Sequence, residues 1–130
     1  MRRSGPAAAT LCSWFARPID DERRVAHGTI AAMKTLITGA SGQLGQALFR
    51  LLPDAIGVSL PELDITQPGA IDGVVAKHKP DVIIHTAAMT DVDGAARNPD
   101  LAYQANGLGT QAVALAAARH GAAVVYISTN

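Results

Sequence analysis

Cysteine is almost missing from this sequence of 130 residues: Cys12 is the only one. No disulfide framework and no cysteine-based zinc site can be built from it, and a reducing cytosol is the natural setting. An excess of charge of one sign is missing too. Lys and Arg number 11 and Asp and Glu 11, so neither a polyanion nor a membrane surface is suggested as a partner. No apolar run approaches the length of a transmembrane helix. Aromatic residues make up 4% of the chain, and Ala, Gly and Val dominate, as in small, closely packed α/β layers. The histidines His27, His78, His85 and His120 fall in four separate stretches without ligand spacing, so no metal site is expected. The length suits about one domain.

What is present is organised around Lys34–Leu48, KTLITGASGQLGQAL. Thr35–Thr38 reads as a short strand, because Leu36 and Ile37 lie between β-branched threonines and Gly39 stops the run. A tight turn follows, and a helix opens near Gly42. Gly39, Gly42 and Gly45 are spaced G-x-x-G-x-x-G. Gly39 can take backbone angles that let the chain turn sharply off the strand. Gly42, lacking a Cβ, allows a pyrophosphate to approach the free N–H groups and positive dipole end of the helix. Gly45 lets the helix lie close to the strand. A P-loop would need Lys-Ser/Thr after its last glycine, where Gln46-Ala47 stand. A glycine-rich turn without a ligand fits three spaced glycines equally well; the strand before and the helix after favour dinucleotide binding.

Residues 1–32 differ from the rest. They carry five arginines against three acids and lack sustained apolar periodicity. Arg2-Arg3 before the weakly apolar Ala7–Ala16 has the outline of a signal peptide, but Gly5-Pro6 breaks it. A twin-arginine signal needs more than the bare pair, and Asp20-Asp21-Glu22 argues against a mitochondrial presequence. The expectation is that Met33 is the true start, with 1–32 a disordered or mis-assigned extension and 33–130 the folded domain.

Beyond the turn, the first helix carries an apolar face of Leu44, Ala47, Leu48, Leu51 and Leu52, and Pro53-Asp54 stops it. Ala55–Val58 is a short second strand. Thr66-Gln67-Pro68 leads into a second helix, with Ile71, Val74 and Val75 as its buried stripe and Pro80 as its end. Val82–His85, an unbroken apolar run, reads as a parallel strand covered on both faces. Thr86–Asn98 reads as a loop. A long helix from Pro99 to His120, with Asn98 as N-cap, is expected to kink at Gly107 and Gly109. Gly121 caps it, and Ala123–Ile127 is a fourth strand. The alternation predicts an α/β, Rossmann-type doubly wound parallel sheet. Right-handed crossovers suggest the strand order 3-2-1-4, with a ligand crevice between the first and fourth strands. The strand ends there, Gly39–Gly45, Ser59–Asp64, Thr86–Thr90 and Ser128–Asn130, are all rich in small and polar residues.

Taken together, MKTLITGASGQLG (33–45), LDIT with Pro68, KPDVIIHTAA (79–88), VVYIST (124–129) and the pattern of Thr90, Val92-Asp93, Asn98-Pro99, Leu101-Ala102-Tyr103, Asn106 and Gly109-Thr110 carry a family likeness. From Met33 onward the chain resembles the N-terminal part of an extended short-chain dehydrogenase/reductase. Within that group it is most similar to the bacterial dTDP-4-dehydrorhamnose reductases, which reduce a 4-keto nucleotide sugar with NADH or NADPH. The resemblance implies that Gly39, Gly42 and Gly45, with Ser41, Gln43 and Leu44 of the same turn, hold the pyrophosphate. It implies Asp64 and Ile65 beside the adenine, Thr86, Ala87 and Ala88 along the cofactor, and Asn106 beneath it. Thr129, or Ser128 beside it, would bind the substrate carbonyl. A cytoplasmic enzyme with a dinucleotide and a nucleotide sugar as partners follows, with no nucleic acid and no membrane; a homodimer is left open.

Several readings stay open at this level. Asp64 also suits a turn leading into the second helix, and Asn106 also suits repair of the backbone at the kink. No catalytic role is assigned to Asp91 or Asp93. Ser128-Thr129-Asn130 stands where the family carries Ser-Thr-Asp, and the neighbourhood that selects NAD over NADP holds Ser59-Leu60-Pro61. The family's Tyr-x-x-x-Lys pair is not among these residues, since Gly107 and Asn130 stand four positions after Tyr103 and Tyr126. The chain is therefore expected to be the cofactor-binding fragment of an NDP-sugar reductase. An epimerase or dehydratase fragment, or a non-catalytic nucleotide-binding module, would share the same features.

Overall fold

The computed structural model of the protein describes residues 33–128; the reading of 1–32 as an extension and the placing of Thr129 lie outside them. Four parallel strands, β1 (Thr35–Thr38), β2 (Ile56–Val58), β3 (Val82–His85) and β4 (Ala123–Tyr126), form one sheet. Helices α1 (Gln43–Leu51), α2 (Ala70–His78), α3 (Val92–Arg97), α4 (Pro99–Tyr103) and α5 (Thr110–His120) connect them. No helix among the described residues is long and apolar enough to cross a membrane.

All four residues of β1 are buried, as expected of a strand with neighbours on both sides. Leu36 pairs with Ile56 of β2 and with Ile83 of β3. Because successive side chains alternate between faces, Leu36 and Ile83 point to one layer, where Ile71 and Val75 of α2 meet Val113, Ala116 and Ala117 of α5. Each such residue that leaves water contributes on the order of 1.5–3 kcal/mol for a large aliphatic side chain. The apolar face expected of α1 is buried less completely: Leu44 and Leu51 remain exposed, while Phe49, off that stripe, packs on Gly57 of β2.

The parallel, doubly wound architecture is as expected, but the order of strands is not. The sheet runs β2-β1-β3-β4 in place of the expected 3-2-1-4. β3 pairs with β1, on the side away from β2, because both ends of the two strands are tied by specific groups. At the start, the Lys34 N–H donates to the Asp81 carboxylate at 2.8 Å and the Asp81 N–H donates to the Lys34 carbonyl at 2.8 Å. The Ala123 N–H donates to the Asp81 carbonyl, which adds β4 to the same clamp. At the far end, Thr86 donates its N–H (3.1 Å) and its hydroxyl (2.7 Å) to the Thr38 carbonyl. Among the described residues β2, three residues long with Gly57 at its centre, shows no comparable ties on its outer edge. The point where the chain changes its direction of winding therefore lies between β1 and β3, not between the first and fourth strands.

Two further differences are local. The stretch read as a loop over Thr86–Asn98 contains α3, whose basic Arg97 lies in its last turn. The long helix from Pro99 is continuous through a π-helical segment, Gln104–Gly109, so the two glycines widen the helix at the place where a kink was expected. Asn98 takes the N-cap position, but its side-chain amide donates back to the Gly94 carbonyl.

Below the sheet's carboxyl edge, His85 is fully buried. Its Nδ1 lies 2.6 Å from the Thr38 hydroxyl and its Nε2 3.1 Å from the Thr110 hydroxyl, while Tyr126 stacks on the ring at 5.6 Å. Burial pushes the pKa of the imidazole down. The unfolded chain, whose histidine titrates near about 6.5, then takes up a proton that the native state refuses. Stability from this group is fully present above that value and is lost as pH falls below it. We expect a melting temperature roughly 3–6 °C lower near pH 5.5 than near pH 7.5. Thermal scans of wild type and His85→Asn check this; the variant should show a flatter dependence.

Candidate functional site

Between the carboxyl ends of β1, β2 and β3 opens a cleft of about 510 Å³. Three loops and one helix face line it, and the first loop is the glycine turn. Gly39 has φ +73, in the left-handed region. A Cβ there would also lie 2.6 Å from the backbone nitrogen of Ala87, so the turn presses directly against the loop after β3. Gly45 is buried, and a Cβ on it would run into the Gly39 carbonyl and the backbone of Ala40, which seats α1 on the turn. Gly42, the N-cap of α1, has ordinary extended angles; a Cβ there would meet only the Gly39 oxygen, at 3.2 Å. Backbone conformation does not demand glycine at 42, and a Cβ there would press on that one backbone oxygen alone. What glycine provides there is open space in front of a helix N-terminus.

No side chain caps that N-terminus, and no acid stands in its first turn. The Gly42 N–H is used within the turn, by the Gly39 carbonyl. By helix geometry the next amides, of Gln43, Leu44 and Gly45, have no partner further up the helix. Together with the dipole they form a cradle for an anion. Ser41 and Gly42 line the cleft beside it; the Gln43 and Leu44 side chains and Gly45 do not.

The second loop follows β2. Leu63 is buried in the core and anchors it. The Asp64 carboxylate accepts hydrogen bonds from the Thr66 hydroxyl at 2.6 Å and the Thr66 N–H at 2.9 Å. These bonds, the hydroxyl first, hold its pKa below the ordinary carboxylate value. Asp64 is thus a turn residue and a cleft-lining residue at once. Ile65, also on the cleft, reaches Gly109: a Cβ on that glycine would lie 3.0 Å from its Cδ1.

The third loop, after β3, brings Thr86, Ala87, Ala88 and Met89 to the opposite wall. Asn106, in the π-helical segment, does not line the cleft. Its Oδ1 accepts from the Met89 N–H at 2.7 Å and its Nδ2 donates to the Met89 carbonyl at 3.0 Å. One side chain thereby holds the loop at two points, as a paired strand would. Leu101 and Ala105, four residues apart on the same helical run, close the side of the cleft. Neither was singled out from the sequence, although their helical spacing next to Asn106 was the available signal. Ser128 is exposed just past β4 and is not part of the cleft wall.

An anion cradle at a glycine turn, facing a long cleft at the change of winding, is where open α/β sheets take nucleotides. Residues 33–130 match the family described as RmlD substrate binding domain. The chain belongs to that family. It is 41% identical over 102 residues to the dTDP-4-dehydrorhamnose reductase of Aggregatibacter actinomycetemcomitans, covering 75% of this chain and 35% of the relative. To the enzyme of that name from Mycobacterium tuberculosis it is 42% identical over 101 residues, covering 75% and 33%. The solved dTDP-4-dehydrorhamnose reductase of Bacillus anthracis, in complex with NADP, superposes with a TM-score of 0.71 at 43% identity, over 74% of this chain and 36% of that one. This chain thus spans about a third of the length of the relatives it matches.

Proposed function

We propose that this chain is the NAD(P)(H)-binding part of an NDP-sugar reductase of the dTDP-4-dehydrorhamnose reductase type. The observation that carries this is the open N-terminus of α1 at Gly42, aimed into the cleft between β1 and β3. The amides of Gln43, Leu44 and Gly45 would take the pyrophosphate, with Gly39 and Gly42 keeping side chains out of its way. Asp64 and Ile65 would bound the adenine end. Thr86, Ala87 and Ala88 would follow the dinucleotide along β3, and Asn106 would keep that loop in place through Met89. When bound, the coenzyme supplies hydride for the reduction of a 4-keto nucleotide sugar. Thr129, or Ser128, would donate a hydrogen bond to the substrate carbonyl from the end of β4. We read the setting as cytoplasmic.

The test is Gly42→Val. A side chain at 42 presses on a single backbone atom, the Gly39 oxygen 3.2 Å from its Cβ, so the fold should be kept at a modest cost in stability, while the space before the helix N-terminus is filled. Titration with NADPH or NADH followed by fluorescence should show binding by the wild type and a loss of about 100-fold or more in the variant. Equal curves for the two proteins, with matching circular dichroism, would remove the assignment.

A further inference from the structure

His85 is a buried polar group that the reading of the cleft leaves without a task. The residues against its ring come from three elements: Thr38 at the end of β1, Thr110 at the start of α5 and Tyr126 of β4. Burial keeps the imidazole neutral near pH 7. A neutral imidazole has one N–H donor and one acceptor nitrogen, and a hydroxyl can play either part, so both bonds form in either tautomer. The ring therefore spans from Thr38, the residue before Gly39, to Thr110, the residue after the π-helical segment Gln104–Gly109. Among the described residues no other hydrogen bond joins β1 or the glycine turn to the helical run 99–120. The π-helical segment in turn touches the other two loops of the cleft. Asn106 holds Met89 of the third loop, and Ile65 of the second lies against Gly109. Such widened turns are rare and cluster at functional sites. Relaxation to the α-helical repeat would turn Asn106 by roughly 100° relative to Thr110, the angle of one residue, and take its amide off Met89.

We propose that His85 is a positioning residue for the coenzyme: as a strut between Thr38 and Thr110 it holds the π-helical segment, and through Asn106 the loop after β3, in register with the glycine turn. The inference rests on the reading of the cleft as a dinucleotide site. In that reading the pyrophosphate sits at the glycine turn and the dinucleotide runs along Thr86, Ala87 and Ala88, so affinity depends on how turn and loop are set against each other. Thr86 ties the root of the loop directly to the Thr38 and Gly39 carbonyls. Met89, three residues on, is held by Asn106, and so by whatever fixes the π-helical segment. Removing the hydroxyl at either end of the strut leaves a buried imidazole nitrogen unpaired, which favours states in which the strut has opened.

The experiment pairs Thr110→Val with Thr110→Ser in the 130-residue chain. Valine has the shape of threonine without the hydroxyl; serine keeps the hydroxyl and loses the methyl group. The proteins are titrated with NADPH and with NADH, read by nicotinamide fluorescence, at a temperature where circular dichroism shows each of them folded. Thr110→Ser is expected to bind within about twofold of wild type, and Thr110→Val about tenfold more weakly. In amide hydrogen exchange without coenzyme, the Met89 N–H should exchange about tenfold faster in Thr110→Val and at the wild-type rate in Thr110→Ser. A merely structural role reverses the order, because packing loses a methyl group in the serine variant and none in the valine variant. The same pair of substitutions at Thr38 repeats the test from the other end of the strut, should a variant at 110 fail to fold. Equal binding by the serine and valine variants overturns the strut and leaves the dinucleotide site standing. Weaker binding with Met89 exchange unchanged overturns the route through Asn106. Binding of neither coenzyme by the wild type overturns the dinucleotide site and, with it, this role for His85.

Discussion

Gly39→Val is expected to destabilise the domain by about 3–5 kcal/mol, enough to leave much of it unfolded. Two independent penalties meet at this position. The residue sits at φ +73, where a side chain costs about 1–2 kcal/mol, and a β-branched one more. A Cβ would also stand 2.6 Å from the Ala87 nitrogen, 2.7 Å from its Cα and 2.9 Å from the Thr86 carbonyl carbon. All three are backbone atoms, so no side chain can swing aside. Relief requires prising the turn away from the loop after β3, which breaks the bonds that Thr86 makes to the Thr38 and Gly39 carbonyls. Urea unfolding measures the loss. Gly73→Ala is the internal control: it lies in α2 with nothing within 4 Å of its Cβ. There alanine should stabilise by about 0.5–1 kcal/mol through helix propensity. Similar midpoints for the two variants would mean that Gly39 is not pressed against β3's loop.

The second large effect concerns catalysis. These 130 residues, supplied with NADPH or NADH and a 4-keto nucleotide sugar, are expected to show no turnover. Ketone reduction needs a proton donor at the developing alkoxide and a surface that holds the sugar in place. Of the tyrosines, Tyr103 is 65% exposed with its ring beside Gly107, and Tyr126 stacks on buried His85. Neither lines the cleft, and neither has a lysine four residues on to lower its pKa. A threonine hydroxyl at 129 can donate a hydrogen bond but stays neutral near pH 7. A missing general acid lowers the rate by about 10²–10⁴, and missing substrate positioning lowers it further. Absorbance at the nicotinamide band gives the readout. Turnover above the protein-free control, abolished by Thr129→Ala, would show that these residues suffice.

Much of the fold could be read in advance because it is written locally. Thr35–Thr38 and Val82–His85 have the bounds expected from their apolar, β-branched runs, and Gly39 turns where a left-handed residue was expected. The end of α5 at Gly121, with φ +72, follows from the same preference. The helix α3 was missed because six residues with two alanines and a glycine give too little periodicity to separate a short helix from a loop. The face of α1 was misjudged since Leu44 and Leu51 satisfy helical spacing whether or not a neighbour arrives to cover them. Phe49 packs against Gly57 only because β2 lacks a side chain at that point.

The sequence by itself determined the succession of strands and helices, the glycine turn and the chemical character of each loop. These depend on backbone preferences and on spacings of a few residues. The tertiary structure alone decided that β3 lies against β1, and so that the cleft opens between them. That choice rests on Lys34 with Asp81 and Thr38 with His85, pairs 47 residues apart, whose geometry no local preference encodes. It also decided that Asn106 works through Met89, 17 residues away.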